Sequence, residues 1–324
     1  MNAHGGTYHS SPRLARPAPR AAYRPACRSA TEVPFVSVII PVFNDSERLG
    51  RCLANLTNQT YAAAMYEIVV VDNASTPPVK LPPNLSRVRL LCENKIGSYA
   101  ARNRGVQASR ASVYAFTDSD CTATPQWIAA GVRALADSSG IVAGDVHFTF
   151  QHPDRPGSAE LYDALTHMQQ ARLTENHGYG VTANLFVTAD VFSQLGLFDS
   201  DLRSGGDREW GERATRTGLR PVFTPDAIVY HPARTSFRSL ARKSQRVVAG
   251  DLALRTRGAT PLRRLQFTAV MFLPPVEQMR ALWSDPRIPT LRQRIGILSI
   301  ACGLRYSRAI ELLRLTFGRP PTRS

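Results

Sequence analysis

The sequence predicts an α/β fold, in which a mostly parallel open sheet carries helices on both faces and a helical C-terminal extension follows. Short apolar, β-branched runs recur between residues 35 and 117, each with the length of a buried strand. Segments of helical length separate these runs, as in parallel strands joined by right-handed crossovers. Residues 262–316 mix Leu, Ile, Phe and Val with Arg, which is the composition of the expected extension.

The first two strands are predicted over residues 35–40 and 66–71, and the second ends at Asp72. Between them, Asp45 or Ser46 begins a helix. The apolar positions of this helix are Leu49, Cys52, Leu53 and Leu56. Their spacing places one face of the helix against the sheet.

A Pro-rich loop, residues 77–83, leads to a third strand near residues 87–92, a helix from about Ser98 to Ser109 and a fourth strand over residues 112–117. In open sheets of this kind, ligands bind beyond the carboxyl ends of the parallel strands. Polar residues lie just past three of these strand ends: Asn44, Asp72 and Asp118. The sequence therefore predicts a binding site at this edge of the sheet.

The charge of the chain is unevenly distributed. The 324 residues carry a formal net charge of +15, a surplus that suggests a nucleic-acid partner. However, residues 1–33 carry +4 and residues 232–324 carry +14, which leaves −3 on residues 34–231. The central domain is therefore mildly acidic, and we expect no nucleic acid to bind it. The tail, residues 1–33, is rich in Pro, Arg, Ala and Ser and is predicted to be disordered.

The cysteines argue against both a disulfide framework and a structural zinc site. They are odd in number and include no CxxC pair: Cys27, Cys52, Cys92, Cys121 and Cys302. This usage favours a reducing compartment. The N-terminus has no apolar segment typical of a secretory signal, and no apolar run has the length of a membrane span. We therefore expect a cytoplasmic protein, peripheral on the inner face of the cell membrane if its basic C-terminal region binds lipid.

Neither a GxGxxG motif after the first strand nor a GxxxxGK[ST] motif is present, which argues against dinucleotide and P-loop sites. Instead, the fourth strand runs into Asp118-Ser-Asp120. Carboxylate oxygens suit Mg²⁺ or Mn²⁺, ions that commonly share the phosphates of a substrate. Taken alone, this pair of aspartates is more typical of a solvated turn.

Four sequence blocks resemble the family 2 glycosyltransferases, in the order and spacing of that family. They are Val36-Ser-Val-Ile-Ile-Pro-Val-Phe-Asn44, Glu67-Ile-Val-Val-Val-Asp-Asn-Ala-Ser75, Asn94-Lys-Ile-Gly97 with Ala101-Arg-Asn-Arg-Gly105, and Phe116-Thr-Asp-Ser-Asp120. Three further blocks resemble the acceptor half of the family: Gly180-Val-Thr-Ala-Asn184, Gly196-Leu-Phe-Asp199, and Gly205-Gly-Asp-Arg-Glu209 with Arg213.

The resemblance covers about residues 35–240 and implies a GT-A fold that transfers a sugar, with inversion, from a nucleotide-diphosphate donor. It implies a catalytic domain over residues 34–240, with a nucleotide-sugar half at 34–122 and an acceptor half at 123–240. Residues 241–324 then form the basic helical extension. The acceptor is expected to be a glycan or a lipid-linked molecule, as in the assembly of cell-envelope polysaccharide.

The resemblance also assigns the nucleotide-binding residues, which are Pro41, Phe43, Asn44, Glu47, Asp72, Arg102 and Asp118. Within this set, Asp72 would hydrogen-bond the nucleobase and Asp118 would contact the ribose. The Ala-Arg-Asn pattern favours Arg102 over Arg104 as the residue that approaches the nucleotide. Three alternatives stay open: Asp72 as a turn residue, Arg102 as a solvated helix residue, and Phe43 as a packing residue.

Two residues are implied as ligands of Mn²⁺ or Mg²⁺, namely Asp120 and His231. His231 follows the strand-like run Ile228-Val-Tyr. In the family, a histidine after this strand approaches the metal or the diphosphate, and imidazole is a suitable ligand or proton donor there. The alternative for His231 is a structural role.

A second acidic cluster begins a helix near Asp207. The family often has Glu-Asp here with the aspartate as general base, and Gly206 stands in the position of that glutamate. Asp207 is therefore predicted to take the proton of the acceptor hydroxyl, with Glu209 as the second candidate. A purely structural alternative is a helix cap combined with an ion pair to Arg213.

Four residues are predicted to contact the acceptor or the diphosphate: Asn184, Arg213, Arg238 and Arg242. Arg238, Arg242 and Arg246 follow one another at four-residue spacing, so a helix would place them on one face. Such a basic stripe suits a leaving diphosphate, an acceptor phosphate or membrane headgroups. A solvated basic face is the alternative.

The segment Leu291–Leu304 has an apolar core that is too short to span a bilayer, with Arg292, Arg294 and Arg305 around it. It suits a helix at a membrane interface and equally a helix packed on the domain. The function predicted for the whole chain is that of a metal-dependent inverting glycosyltransferase. The alternative is a non-catalytic basic protein of the same fold that binds nucleotide or nucleic acid.

Overall fold

The computed structural model describes residues 33–81, 85–255, 268 and 270–317. The predicted disordered tail lies outside the described residues, apart from Val33. The strands are β1 (Val36–Val42), β2 (Tyr66–Asp72), β3 (Val88–Cys92), β4 (Val113–Thr117), β5 (Thr122–Ala123), β6 (Ile141–Thr149), β7 (Asn184–Thr188) and β8 (Val222–Pro232).

The helices are α1 (Ser46–Leu56), α2 (Ser98–Gln107), α3 (Trp127–Leu135), α4 (Ser158–Thr166), α5 (Gln170–Arg172), α6 (Ala189–Leu195), α7 (Gly206–Arg216), α8 (Phe237–Arg255), α9 (Val276–Trp283) and α10 (Leu291–Thr316). A 3₁₀ turn, Ala63–Met65, precedes β2, and a π-helical turn, Leu173–His177, follows α5. Within the described ranges, none of the helices combines the length and the apolar composition that crossing a membrane requires.

The eight strands form one sheet in the order β3-β2-β1-β4-β7-β6-β8-β5. The four strands predicted from the sequence form its parallel half, since β1 pairs in parallel with β2 and β4, and β2 with β3. In the second half, β7 runs antiparallel to both β4 and β6, and β5 antiparallel to β8. The predicted open α/β sheet is confirmed, and the antiparallel strands lie in its second half, where β6 pairs in parallel with β8.

Helices cover both faces of the sheet, because the side chains of each buried strand alternate between two apolar clusters. On β1, Val38 and Ile40 pack in the cluster that contains α1 and α3. Ile39 points to the other face and packs in the cluster that contains α2, α6 and α7. The carboxyl ends of β1, β2 and β4 therefore meet at one edge, between the two layers of helices.

The C-terminal helices pack on the side of α4. Leu161 and Tyr162 of α4 share an apolar cluster with Leu240 of α8, Leu282 of α9 and Ile297 of α10. Asp163 of α4 is fully buried and accepts hydrogen bonds from the backbone and the guanidinium of Arg234. These contacts join the segment after β8 to the rest of the described fold.

Candidate active site

Asn44 and the loop after β2 are tied together at the edge of the sheet. The backbone N–H of Asn44 donates to Ser75 Oγ at 2.9 Å, and Thr76 N–H donates to Asn44 Oδ1 at 2.7 Å. Asn44 has a positive φ of 50°, a backbone conformation that Asn tolerates better than most residues. The side chain thus joins the end of β1 to the loop over residues 73–79.

Asp72 binds the backbone of the same loop. Its carboxylate accepts from the backbone N–H groups of Ser75 and Val79, each at 3.0 Å. Burial by itself would raise the pKa of Asp72, but the hydrogen bonds from Ser75 and Val79 outweigh it and hold the pKa below its usual value. Asp72 is therefore an ionised anchor of this loop, consistent with its position at a strand end.

The other residues near β1 and α1 that are predicted to bind the nucleotide differ in exposure. Pro41 is half-buried, and Phe43 is 55% exposed on the rim of the edge. Glu47 projects from the first turn of α1 with its side chain 89% exposed, 3.9 Å from Arg51. Among the described residues the loop is held by Asn44 and Asp72, and Glu47 is solvent-exposed.

Arg102 and Asp118 form the closest charged contact at this edge. Arg102 Nη2 donates to Asp118 Oδ1 at 2.6 Å, and the arginine is only 3% exposed. Its guanidinium also lies 5.7 Å from the centre of the Tyr99 ring. Arg102 Nε is buried without a hydrogen-bond partner among the described residues. The neighbouring Arg104 is exposed, so the fold places Arg102 rather than Arg104 at the site.

Three side chains could hold a divalent cation between them. One ligand atom each from Asp118, Asp120 and His231 lies within 4.8 Å of the other two. His231 Nδ1 lies 2.8 Å from the carbonyl oxygen of Pro232, which can only accept, so Nδ1 carries the proton. The lone pair of Nε2 then faces Asp120 Oδ1, at 3.7 Å. A carboxylate and an imidazole lone pair that face each other fit a cation between them.

The charges around Asp120 also fit a cation. Burial raises the pKa of Asp120, His231 opposes this rise, and the negative charge of Asp118 adds to it. Arg48, which the sequence analysis did not single out, lies 3.7 Å from Asp120 and 2.9 Å from Asp45. A divalent ion at this point would offset the repulsion between the two carboxylates.

Asp207 lies in the first turn of α7, and its carboxylate has Thr182 and Tyr99 as partners. The backbone N–H and the hydroxyl of Thr182 lie 3.2 and 3.3 Å from its carboxylate oxygens. Burial raises the pKa of the Tyr99 phenol well above its usual value, and the charge and a hydrogen bond of the Asp207 carboxylate raise it further. Tyr99 therefore stays protonated and donates to Asp207, while its ring contacts Arg102.

Glu209 and Arg213 form a structural pair on the same helix. Arg213 donates to both carboxylate oxygens of Glu209 at 3.1 Å. It also donates to the carbonyl oxygens of Leu195 and Leu197, which tie α7 to the preceding loop. This geometry favours the ion pair that the sequence left open for Arg213, and it favours Asp207 over Glu209 as the available carboxylate.

Asn184 serves as a bridge inside the sheet. It is fully buried, and Nδ2 donates to the carbonyl oxygens of Asp145 and Ala227 at 2.7 and 2.8 Å. Its Oδ1 accepts from the indole N–H of Trp127 at 2.8 Å. With these contacts made, Asn184 is a supporting residue of β6, β7 and β8, and the geometry disfavours the predicted contact with the acceptor.

The three arginines of the predicted stripe lie on α8, and all are exposed. Arg246 acts electrostatically on Asp118 and Tyr99, so this end of the stripe lies within range of the Asp118 carboxylate. Arg242 and Arg238, one and two turns earlier respectively, project from the same face. The basic face of α8 therefore approaches the candidate site at Arg246, and Arg242 and Arg238 lie farther along the helix.

The residues that sequence reasoning missed are Tyr99, Thr182 and Arg48. Each stands within or beside a quoted block, but none is a type whose role can be deduced from its neighbours in sequence. Tyr99 contacts Arg102 three residues away and Asp207 more than a hundred residues away. The second contact depends on the packing of α2 against α7, which no local pattern predicts.

Over residues 37–196 the sequence matches the family described as glycosyl transferase family 2. Glycosyltransferase AglE of Haloferax volcanii is 38% identical over 248 residues, which cover 74% of this chain and 81% of that protein. Pre-mycofactocin glycosyltransferase of Mycobacterium tuberculosis is 26% identical, and the match covers 64% of this chain and 45% of that protein.

Among solved structures, the fold resembles that of the mannosyltransferase PcManGT from Pyrobaculum calidifontis in complex with GDP-Man and Mn²⁺. The TM-score is 0.55 at 19% sequence identity, and the likeness covers 89% of this chain and 88% of that one. The likeness in fold extends over both halves of the sheet.

Proposed function

The chain belongs to glycosyl transferase family 2 and is a glycosyltransferase of the GT-A fold, and from that premise we propose that it transfers its sugar with inversion. The donor is a nucleotide-diphosphate sugar and the acceptor is a hydroxyl group. Asp207 is the general base, and Asp118, Asp120 and His231 hold Mn²⁺ or Mg²⁺. Membership of the family sets aside the non-catalytic alternative that the composition left open.

The observation that carries this proposal is the position of Tyr99. Its ring lies 5.7 Å from the Arg102 guanidinium, which is bonded to Asp118, and its hydroxyl donates to Asp207. The carboxylate proposed as base and the residues proposed to hold the donor are therefore neighbours around one side chain. Such proximity is what an in-line transfer between donor and acceptor requires.

On the donor side, the nucleotide lies over the loop that Asn44 and Asp72 organise, with Pro41 and Phe43 beside the base. The exposed ring of Phe43 offers an aromatic face for this contact. Asp118, oriented by Arg102, bonds the ribose. When bound, the divalent cation supplies positive charge that stabilises the diphosphate as it leaves.

On the acceptor side, the Asp207 carboxylate accepts the proton of the acceptor hydroxyl as that oxygen attacks the anomeric carbon. The new C–O bond forms on the face opposite the diphosphate. The bond from the anomeric carbon to the diphosphate breaks, and its electron pair leaves with the diphosphate. Thr182 and Tyr99 keep the carboxylate in place during the approach.

The acceptor is proposed to be a glycan or a lipid-linked molecule. The basic face of α8, with Arg238 and Arg242, offers charge complementary to an acceptor phosphate or to the leaving diphosphate. The neighbour PcManGT was solved with GDP-Man and Mn²⁺, so GDP-mannose is a rational first member of a donor panel. UDP-linked sugars are the natural comparison.

The proposal is tested by measuring donor hydrolysis over a panel of nucleotide sugars with Mn²⁺ or Mg²⁺, first for the wild type and then for Asp207→Asn. We expect the substitution to lower turnover by about 10²–10⁴-fold and to leave nucleotide affinity nearly unchanged. Glu212→Gln, at a half-buried acidic residue farther along the same helix that pairs with Arg208, is the matched control and should keep full activity. Undiminished turnover in Asp207→Asn would show that this carboxylate is not the base. Proton NMR of the product's anomeric configuration tests inversion.

A further inference from the structure

The exposed apolar side chains of the described residues are concentrated near the C-terminus. Ten of the sixteen large ones lie between residues 270 and 317. They are Val270, Phe272, Leu273, Val276, Trp283, Leu291, Ile295, Tyr306, Ile310 and Phe317. An exposed apolar concentration of this kind marks a surface that contacts a protein or a membrane.

Half of this set forms a stripe along α10. Leu291, Ile295, Tyr306 and Ile310 fall on one face of the helix, and Phe317 continues the line just past its end. At 3.6 residues per turn, the five positions lie within an arc of about 100°. The helix is 26 residues long, so the stripe extends over about 39 Å.

The opposite side of α10 is already used by the fold. Ile297, Ala301 and Leu304 are buried in the cluster with α4 and α8, and Leu312 is buried against Val248 and Leu252 of α8. The helix is therefore apolar on two sides, and the described fold covers only one of them. The contacts that hold α10 on the described part of the chain are made by the first side. The second apolar side is exposed.

The segment before α9 extends the stripe sideways. The Arg305 guanidinium donates to the carbonyl oxygens of Val270, Met271 and Leu273 at 3.0–3.1 Å. These bonds fasten residues 270–273 beside the middle of α10, and the side chains of Val270, Phe272 and Leu273 are exposed. We call the combined surface, residues 270–276 with the exposed face of α10, the apolar platform.

The apolar platform could be covered by a second copy of the chain or by a membrane, and the charge around it favours the membrane. Residues 232–324 carry +14, and Arg280 and Arg292 are exposed on α9 and α10 beside it. Two copies of the chain joined through this face would bring two strongly basic segments together and repel each other. An anionic lipid surface offers both apolar depth for the platform and negative charge for the arginines.

We propose that the apolar platform docks on the surface of a bilayer that contains anionic lipid, with α10 lying in the plane of the interface. The side chains of Phe272, Leu273, Ile295 and Ile310 enter the boundary between headgroups and acyl chains. The arginines of the flanking segments contact the lipid phosphates. The packed side of α10 holds the rest of the fold above the membrane.

The test is co-sedimentation of the full chain with vesicles of phosphatidylcholine, with and without phosphatidylglycerol. We expect binding that needs phosphatidylglycerol and weakens as salt is raised, because salt screens the arginines. Ile295→Ser/Ile310→Ser should lower the partition coefficient by about tenfold or more, since two exposed apolar side chains no longer enter the bilayer. Leu273→Ser/Phe317→Ser should act in the same direction.

Val222→Ser is the matched control, because Val222 is an exposed valine on β8 outside the platform, and its variant should bind as the wild type does. Thermal unfolding confirms that each variant folds, and donor hydrolysis in solution should stay unchanged. Equal vesicle binding by the serine variants and the wild type would overturn the proposal. The proposal would also be overturned if the wild type did not bind anionic vesicles and instead formed a dimer in light scattering. In that case Ile295→Ser/Ile310→Ser would be a monomer.

Discussion

The Tyr99 ring occupies the space in front of Gly206. A Cβ atom added to Gly206 would lie 2.7 Å from this ring, closer than any side chain tolerates. The family that the sequence resembles often has a glutamate at this position, directly before the aspartate proposed as base. Here the absent side chain leaves room for Tyr99, whose hydroxyl donates to Asp207. The glycine and the tyrosine are thus two parts of one arrangement.

Gly206→Ala should lower kcat by about tenfold or more, because the methyl group displaces Tyr99 and with it the partner of Asp207. Overpacking of this kind also destabilises the fold by about 1–3 kcal/mol. The measurement is donor hydrolysis at saturating donor, with urea unfolding alongside. Gly50→Ala is the control, since a Cβ at Gly50 meets nothing within 4 Å. Wild-type kcat in Gly206→Ala would refute the coupling.

Arg102→Met should lower kcat/KM for the donor by about 10²-fold, because Asp118 loses the buried guanidinium that orients it. Arg104→Met, two residues along the same helix and exposed, should behave as the wild type. Steady-state kinetics of the two variants, measured side by side, tests whether the contact between Arg102 and Asp118 contributes to donor binding. If both variants lose the same activity, the contact between Arg102 and Asp118 has no special part in donor binding.

Asn184→Ala should destabilise the protein by about 3 kcal/mol, because two carbonyl groups and the Trp127 indole lose buried hydrogen bonds. In the fraction that folds, kcat and KM for the acceptor should change little. Urea unfolding gives the first quantity, and kinetics below the unfolding transition give the second. The exposed Asn58→Ala serves as the reference. A stable variant with a raised acceptor KM would instead restore the acceptor contact expected from the sequence.

His167 should make the protein less stable in mild acid. It lies 2.7 Å from the buried Asp163 carboxylate. Burial and the charge of Lys243 nevertheless lower the pKa of His167 from 6.5 to about 4, against the effect of Asp163. Between these values the unfolded chain binds a proton that the folded chain does not, so the free energy of unfolding falls by up to about 3 kcal/mol as the pH drops from 6.5 to 4.

The check is urea unfolding at several pH values for the wild type, His167→Gln and His177→Gln. The slope of stability against pH in this window should be smaller in His167→Gln than in the wild type. His177 is exposed, so its variant should retain the wild-type slope. A slope that all three proteins share would contradict the assignment of this titration to His167.

Much of the parallel half of the fold could be predicted from the sequence. Each strand from β1 to β4 is a local apolar run, and the residues after β1, β2 and β4 fall at one edge because parallel strands end together. The sequence therefore located Asn44, Asp72 and Asp118 correctly. The antiparallel pairing of β7 with β4 and β6 could not be read in this way, since it depends on contacts between segments distant in sequence.

The roles of residues in the second half of the sheet were harder to predict for the same reason. Asn184 stands in a block that resembles an acceptor motif, yet its side chain closes hydrogen bonds between three strands and a helix. Arg213 and Glu209 satisfy each other four residues apart on α7, a local pairing that the sequence offered as an alternative. The segment Leu291–Leu304 packs on the domain, as one of its two predicted alternatives had it, and α10 exposes apolar residues on its other side; the membrane-interface alternative stays a prediction.

Asp118, Asp120 and His231 are proposed to hold a divalent cation at which the donor nucleotide binds. Isothermal titration calorimetry of GDP and UDP tests it most directly, in Mn²⁺ and in EDTA, with the wild type, Asp120→Ala, His231→Ala and the exposed-acid control Asp226→Asn. We expect one nucleotide to bind the wild type and Asp226→Asn only when Mn²⁺ is present, and to bind the other two variants at least about tenfold more weakly. Nucleotide binding of equal strength in EDTA would show that no divalent cation is needed at the donor site. Unchanged binding in Asp120→Ala and His231→Ala would show that these residues do not hold it.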